Sequence, residues 1–211
     1  VIAAYEQLLN DPSGPLYNRT IAGPLNPPGS TFKLITAAAA LESRQFTAES
    51  QFANPAQLPL PQSSNFITNS GGGTCGGGAT VSMFDAMRLS CNIPFAELGQ
   101  ALGTRDILQQ AMKFGFNSSM EVPMESTASV YPRALDVPQN MLSAFGQSSV
   151  RASPLQMAMV SMAIGNGGTL MQPTLVESIT APNLTVLQSL QPTVYGQPIS
   201  RETAATLTQM M

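Results

Sequence analysis

Apolar residues recur at helical spacing in several separate stretches of this chain, each with its own start or stop signal. The first begins at Pro27-Pro28-Gly29-Ser30 and runs from Thr31 to about Arg44. A Pro-Pro-Gly turn, a Ser suited to capping and an Ala/Leu-rich run predict a strong helix start there. Helical patterning returns over Ser82–Leu89, breaks at Ser90-Cys91-Asn92 and resumes over Pro94–Leu102. Thr104-Arg105-Asp106 opens a further helix to Lys113, stopped at Gly115. Ser153-Pro154 pairs an N-cap with a Pro at the first helical position and predicts a helix to about Gly165. Ser200 caps a last one. From Phe46 to Thr80 the period vanishes among Pro55, Pro59, Pro61 and two glycine clusters, which predicts a long ordered loop of the functional kind. Residues 117–150 read as irregular, and the alternation over Thr169–Thr180 predicts a strand or two. Neither internal repeats nor a coiled coil are visible. The pattern is mainly helical.

Composition narrows the chemistry. The chain has 211 residues, a net charge of −3 and 43% hydrophobic residues, enough to bury a core. Only 10% are charged, against roughly 25% in a typical soluble domain, so the surface is wetted mainly by Ser, Thr, Gln and Asn. Without a basic cluster, nucleic acid is excluded as a partner. Histidine is absent. That removes Ser-His-Asp and Cys-His catalysis and any His-ligated metal. A nucleophile in this chain needs another base.

Lysine supplies one. Only Lys33 and Lys113 occur, and Lys33 lies in the apolar run Thr31-Phe32-Lys33-Leu34-Ile35, three residues after Ser30. Positions i and i+3 share a helix face, so the hydroxyl and the amine can approach each other. The positive end of the helix dipole and a dry setting both disfavour the ammonium, and a neutral amine can take the Ser30 proton. A bare Ser-x-x-Lys is more often a cap with a snorkelling lysine. Ser90-Cys91-Asn92 changes the odds by placing a second hydroxyl and an amide at a helix break, where side chains can point into a cleft. The hydroxyl can relay a proton between Lys33 and a leaving group, and the amide can bind a peptide carbonyl. Taken alone, this stretch is equally a Ser/Asn turn between helices.

Together, Pro28-Gly29-Ser30-Thr31-Phe32-Lys33 and Leu89-Ser90-Cys91-Asn92 resemble the penicillin-binding protein transpeptidases in motif and spacing. Phe145-Gly146-Gln147, Ser153-Pro154-Leu155-Gln156-Met157-Ala158 and Gly165-Asn166-Gly167-Gly168 are similar to that family's helix and Asn-Gly-Gly turn after the active site. The resemblance runs from Leu16 to Met211 and is nearest to the actinobacterial class B members of the penicillin-binding protein A group. It implies an α/β fold of the penicillin-binding/serine β-lactamase-like kind, with no cofactor and no metal. It further implies Ser30 as acylated nucleophile, Lys33 as general base, and Ser90 with Asn92 as second catalytic motif. The implied substrates are the D-Ala-D-Ala ends of peptidoglycan stem peptides, with β-lactams acylating the same Ser30. The implied partners are cell-division and cell-wall synthesis proteins, and the implied place is the extracytoplasmic face of the bacterial membrane. No run of about 18 apolar residues is present, so a membrane anchor is expected outside this chain.

One departure stands out. The family's third motif, Lys-Thr/Ser-Gly on a strand lining the cleft, is missing, and Lys113-Phe114-Gly115 reads as a helix C-terminus. The start at Val1 and the uncapped end at Met210-Met211 predict a fragment, residues 1–211 being a partial transpeptidase domain. Its helical part is expected here, with most of the central sheet missing. Two alternatives share the fold or cleft: a serine β-lactamase, for which no Glu-x-x-x-Asn-like motif occurs over Glu121–Ser129, and a non-catalytic penicillin-binding sensor or divisome scaffold. Cys75 and Cys91 are either free thiols or a pair. The extracytoplasmic setting that the resemblance implies favours a disulfide, closing a loop for about 3 kcal/mol. Met157, Met159 and Met162 are expected in the core, Arg88 and Arg151 on the surface.

Overall fold

The computed structural model describes residues 1–211 and opens on an exposed helix, α1 (Ile2–Leu9), which buries none of its residues. The organising element is α2 (Lys33–Glu42), where every residue from Lys33 to Ala40 is buried. A helix that is buried all round must lie at the centre of a fold. Four alanines in a row (Ala37–Ala40) let neighbouring backbones approach closely. The expected capping role of Ser30 is not observed: Gly29–Phe32 form a single 3-10 turn leading into α2, without a side-chain cap. Ser30 is exposed, and its hydroxyl is thereby left for other partners.

Around α2 stand α3 (Met83–Arg88), α4 (Ile93–Lys113), α5 (Val137–Ser143), α6 (Pro154–Gly165) and α7 (Arg201–Met210). The predicted caps of the last two hold: Ser153 Oγ accepts from Gln156 N–H and Ser200 Oγ from Thr203 N–H. Helix α4 is broken at Gly103 (φ +74°, ψ 167°), a backbone geometry outside the helical region that glycine adopts without steric cost, so two helical segments follow each other as the sequence predicts. Helix α5 was hidden within the stretch read as irregular. Asp136 caps it by accepting from Gln139 N–H, and Pro138 sits in its first turn.

The long loop from Phe46 to Thr80 is more structured than its composition suggests. It contains β1 (Gln51–Ala53), β2 (Gln57–Pro59) and β3 (Phe66–Thr68), and β4 (Thr80–Ser82) closes it. β1 pairs antiparallel with β4, and β2 with β3. Strands of three residues carry no readable period. Beyond α6, β5 (Leu170–Met171) pairs with β8 (Val194–Gly196) and β6 (Ser178–Thr180) with β7 (Val186–Ser189). Four two-stranded sheets and a helical core make a mixed α/β chain with few strands. Met159 is buried and Met157 and Met162 pack against the core, as expected. Arg88 is exposed and paired with Asp85, whereas Arg151 is half-buried and donates to the Ser148 and Val150 carbonyls.

The turn carrying Ser30 is clamped from behind. Gly29 N–H donates to the Gly146 carbonyl at 3.0 Å, and Thr36 Oγ1 donates to the buried Ala144 carbonyl at 2.7 Å. Phe32 stacks on Tyr131 and meets Phe116 edge-on, which fixes the other side. Gly146 (φ +78°) lies so close that a Cβ there would sit 2.0 Å from the Gly29 oxygen. Gly146→Ala is therefore expected to lower the unfolding free energy by at least about 2 kcal/mol, combining left-handed strain with a backbone clash. Urea denaturation of the two proteins checks this, and a change under about 0.5 kcal/mol, the scale of a neutral surface substitution, would contradict the clamp.

Candidate active site

Ser30, Lys33, Ser90 and Asn92, singled out from the sequence, converge on one amine. Lys33 Nζ lies 3.1 Å from Ser30 Oγ, 3.1 Å from Ser90 Oγ, 2.6 Å from the Ser90 carbonyl and 2.9 Å from Asn92 Oδ1. The side chain of Lys33 reaches out from the first turn of α2, and Ser90 and Asn92 come to it from the break between α3 and α4. Ser90 adopts φ +56°, which turns the chain sharply enough to aim its carbonyl and its hydroxyl at the same nitrogen.

Burial dominates the electrostatics. Lys33 is 1% exposed, and its Nζ sits 5.6 Å from the centre of the Phe95 ring. Desolvation pulls its pKa from 10.5 down to about 8. Burial, one of the two causes expected from the sequence, carries this shift. All four partners are neutral oxygens, and no carboxylate lies among them. The one ion pair, Arg88 with Asp85, does not involve Lys33.

The partner set also fixes the amine's direction. The Ser90 carbonyl and Asn92 Oδ1 can only accept, so each claims one N–H of the lysine. In a neutral amine no further hydrogen remains, and the lone pair faces the two hydroxyls. This is the geometry for taking a proton from Ser30 or exchanging one with Ser90.

Asn92 is held more firmly than its sequence context suggests. Its Nδ2 donates to the Thr68 carbonyl at 2.9 Å, so one amide hydrogen is engaged and one is free for a ligand. Its backbone N–H donates to Asn69 Oδ1 at 2.9 Å. Thr68 and Asn69 went unnoticed in the sequence, where only their place before the Gly71–Gly73 cluster sets them apart. Cys75 and Cys91 form a disulfide with Cα atoms 5.9 Å apart, tying that glycine loop to the middle residue of the second motif. Asn54 steadies the far end of the bridge through the Cys75 N–H and carbonyl. A cleft of about 430 Å³ adjoins Asn92, lined by Leu60, Phe66, Thr68, Leu142, Phe145 and Gln147 among others. A cavity of about 830 Å³ between the C-terminal end of α2 and α7 is lined by none of the four site residues. Lys113-Phe114-Gly115 ends α4, with Phe114 fully buried, and makes no part of the site.

Comparison with known proteins identifies the family. The penicillin binding protein transpeptidase domain matches residues 3–211. Over 209 residues the chain is 39% identical to the peptidoglycan D,D-transpeptidase PbpA of Mycolicibacterium smegmatis, covering 99% of this chain and 42% of that protein. The imipenem acyl-enzyme complex of penicillin-binding protein A from M. tuberculosis is similar in structure, with a TM-score of 0.91 and 34% identity over 100% of this chain and 48% of that one. The D,D-transpeptidase domain of a peptidoglycan glycosyltransferase from Eggerthella lenta gives a TM-score of 0.88 at 29% identity, over 99% of this chain and 53% of its own. The chain thus spans less than half the length of these curated relatives. No helix is long and apolar enough to cross a membrane. With a family match along nearly its whole length and a Ser-Lys-Ser-Asn cluster at its centre, this chain belongs to the penicillin-binding protein transpeptidase family.

Proposed function

We propose that residues 1–211 are part of the transpeptidase domain of a peptidoglycan D,D-transpeptidase, acylated on Ser30 by the D-Ala-D-Ala ends of stem peptides and by β-lactams. The observation that carries this reading is the buried Lys33 amine within 3.1 Å of two serine hydroxyls in a chain without histidine. In the forward step the Ser30 oxygen bonds to the carbonyl carbon of the penultimate D-Ala while its proton passes to Lys33 Nζ. The C–N bond to the last D-Ala then breaks, and Ser90 Oγ passes a proton from Lys33 to the departing amine. An amine of a second stem peptide then attacks the ester, reversing the proton path and freeing Ser30. A β-lactam undergoes the same first step, its ring amide opening in place of the peptide bond.

The remaining groups fit supporting roles. Ser30 lies in the 3-10 turn whose backbone N–H groups precede α2, and its own N–H is suited to an oxyanion developing on the carbonyl. Asn92 lines the 430 Å³ cleft, and the amide hydrogen that Thr68 leaves free suits a substrate peptide carbonyl. The stability of the ester in relatives captured as acyl-enzyme complexes with imipenem and penicillin G favours a transpeptidase over a β-lactamase, as does the lack of any carboxylate bonded to Lys33, Ser30 or Ser90. The disulfide suits an oxidising compartment, which supports action on the extracytoplasmic side, with cell-wall synthesis and division proteins as partners and any membrane anchor lying outside this chain.

Two outcomes are expected. Fluorescent penicillin should label the full-length protein on Ser30, as read by peptide mapping, and Lys33→Ala should slow the labelling by at least about 10²-fold, the scale of a lost general base. Labelling on Ser90, or an unchanged rate in Lys33→Ala, would contradict the assignment. In ¹³C-lysine NMR, the Lys33 side-chain signal, assigned by its loss in Lys33→Arg, should titrate with a midpoint near 8. A midpoint near 10.5 would show that the amine is hydrated.

A further inference from the structure

Asn92 stands at the N-terminal end of α4, where an asparagine would ordinarily turn its side-chain oxygen back onto the first free N–H groups of its own helix. It does not do so here: α4 has no side-chain cap from Asn92. Its Oδ1 accepts from Lys33 Nζ instead. The capping is done from another element. Asn69, 4% exposed at the end of β3, places its Oδ1 2.9 Å from Asn92 N and 3.2 Å from Ile93 N, and accepts both N–H groups. Its Nδ2 donates to the Gly73 carbonyl at 3.2 Å, which fixes the side chain against the glycine loop. The residue before it, Thr68, accepts from Asn92 Nδ2. Two consecutive residues therefore grip the backbone and the side chain of Asn92.

We propose that Asn69 is a positioning residue of the acylation site, which anchors the backbone of Asn92 and Ile93 and so holds the Asn92 side-chain oxygen where it orients Lys33. Asn69 takes the two N–H groups at the head of α4, those of Asn92 and Ile93, and thereby fixes the turn from which the Asn92 oxygen reaches the amine. Without it, both N–H groups lose their acceptor and the turn is no longer anchored from β3. If the turn shifts, Lys33 loses an acceptor that favours the ammonium, and its lone pair is no longer aimed at the hydroxyls. The inference rests on Ser30 being the acylated residue and Lys33 its base.

The test compares Asn69→Ala and Asn69→Asp in the full-length protein, following acylation by fluorescent penicillin across pH with folding checked by thermal melts. Asn69→Ala should acylate roughly 10–100-fold more slowly, the scale of a catalytic group displaced by about 1 Å. The midpoint of its pH–rate curve should move below that of the unsubstituted protein. Asn69→Asp keeps acceptor oxygens for both N–H groups, so it should stay within about threefold of the unsubstituted rate, and its midpoint should not fall. Should Asn69→Ala fail to fold, the Asp variant alone decides. A folded Asn69→Asp slowed tenfold or more, or a folded Asn69→Ala with unchanged rate and midpoint, overturns the inference. An unsubstituted protein that takes no label on Ser30 overturns the functional reading itself, which keeps the two failures apart.

Discussion

A lysine buried to 1% exposure without a carboxylate beside it is costly to keep charged, and the site around Ser30 is built on that cost. Desolvation lowers the pKa of Lys33 to about 8, and neutral oxygens then hold the amine in place without restoring the charge. An ion pair would have done the opposite, holding the amine protonated and useless as a base. The other features of the site serve this one requirement. Central α2 provides the dry position, the sharp turn at Ser90 brings a carbonyl and a hydroxyl together, and the bridge from Cys91 to Cys75 restrains that turn in a chain with few strands nearby.

The position of Ser30, the proposed nucleophile, depends on a different kind of constraint. Ser30 is exposed, and nothing on its solvent side holds it. What fixes it lies behind its turn: the contact of Gly29 with Gly146, the bond from Thr36 to Ala144, and Phe32 wedged against Tyr131 and Phe116. Lys33 and Ser30, the proposed base and nucleophile, are thus held by separate parts of the fold. α5 and its C-terminal turn support Ser30, while β3 and the glycine loop support Asn92 and, through it, Lys33.

Much of this was legible in the order of residues. The Ser30/Lys33 spacing survives even though the local turn is 3-10 rather than α, because i and i+3 lie close in both geometries. The break at Ser90-Cys91-Asn92 stood out as the loss of an otherwise regular helical period, and the caps at Ser153 and Ser200 are local chemistry that any sequence displays. What stayed hidden is long-range or too short to carry a pattern. The strands β1 to β3 have three residues each, and α5 is only about two turns long and of unremarkable composition, marked only by Asp136 and Pro138. Asn69 meets Asn92 only through folding, and in the sequence it is one more polar residue ahead of a glycine cluster. The depth at which Lys33 is buried is likewise a matter of packing, which the sequence could suggest but not measure.

The most direct measurement of the central claim is the rate of penicillin acylation of the full-length protein as a function of pH. A neutral Lys33 acting as base predicts a rate that climbs with pH, passes its midpoint near 8 and levels off above it, since the active form is the deprotonated amine. A rate that stays flat through that region, or a midpoint near the ordinary lysine value of 10.5, would contradict the account.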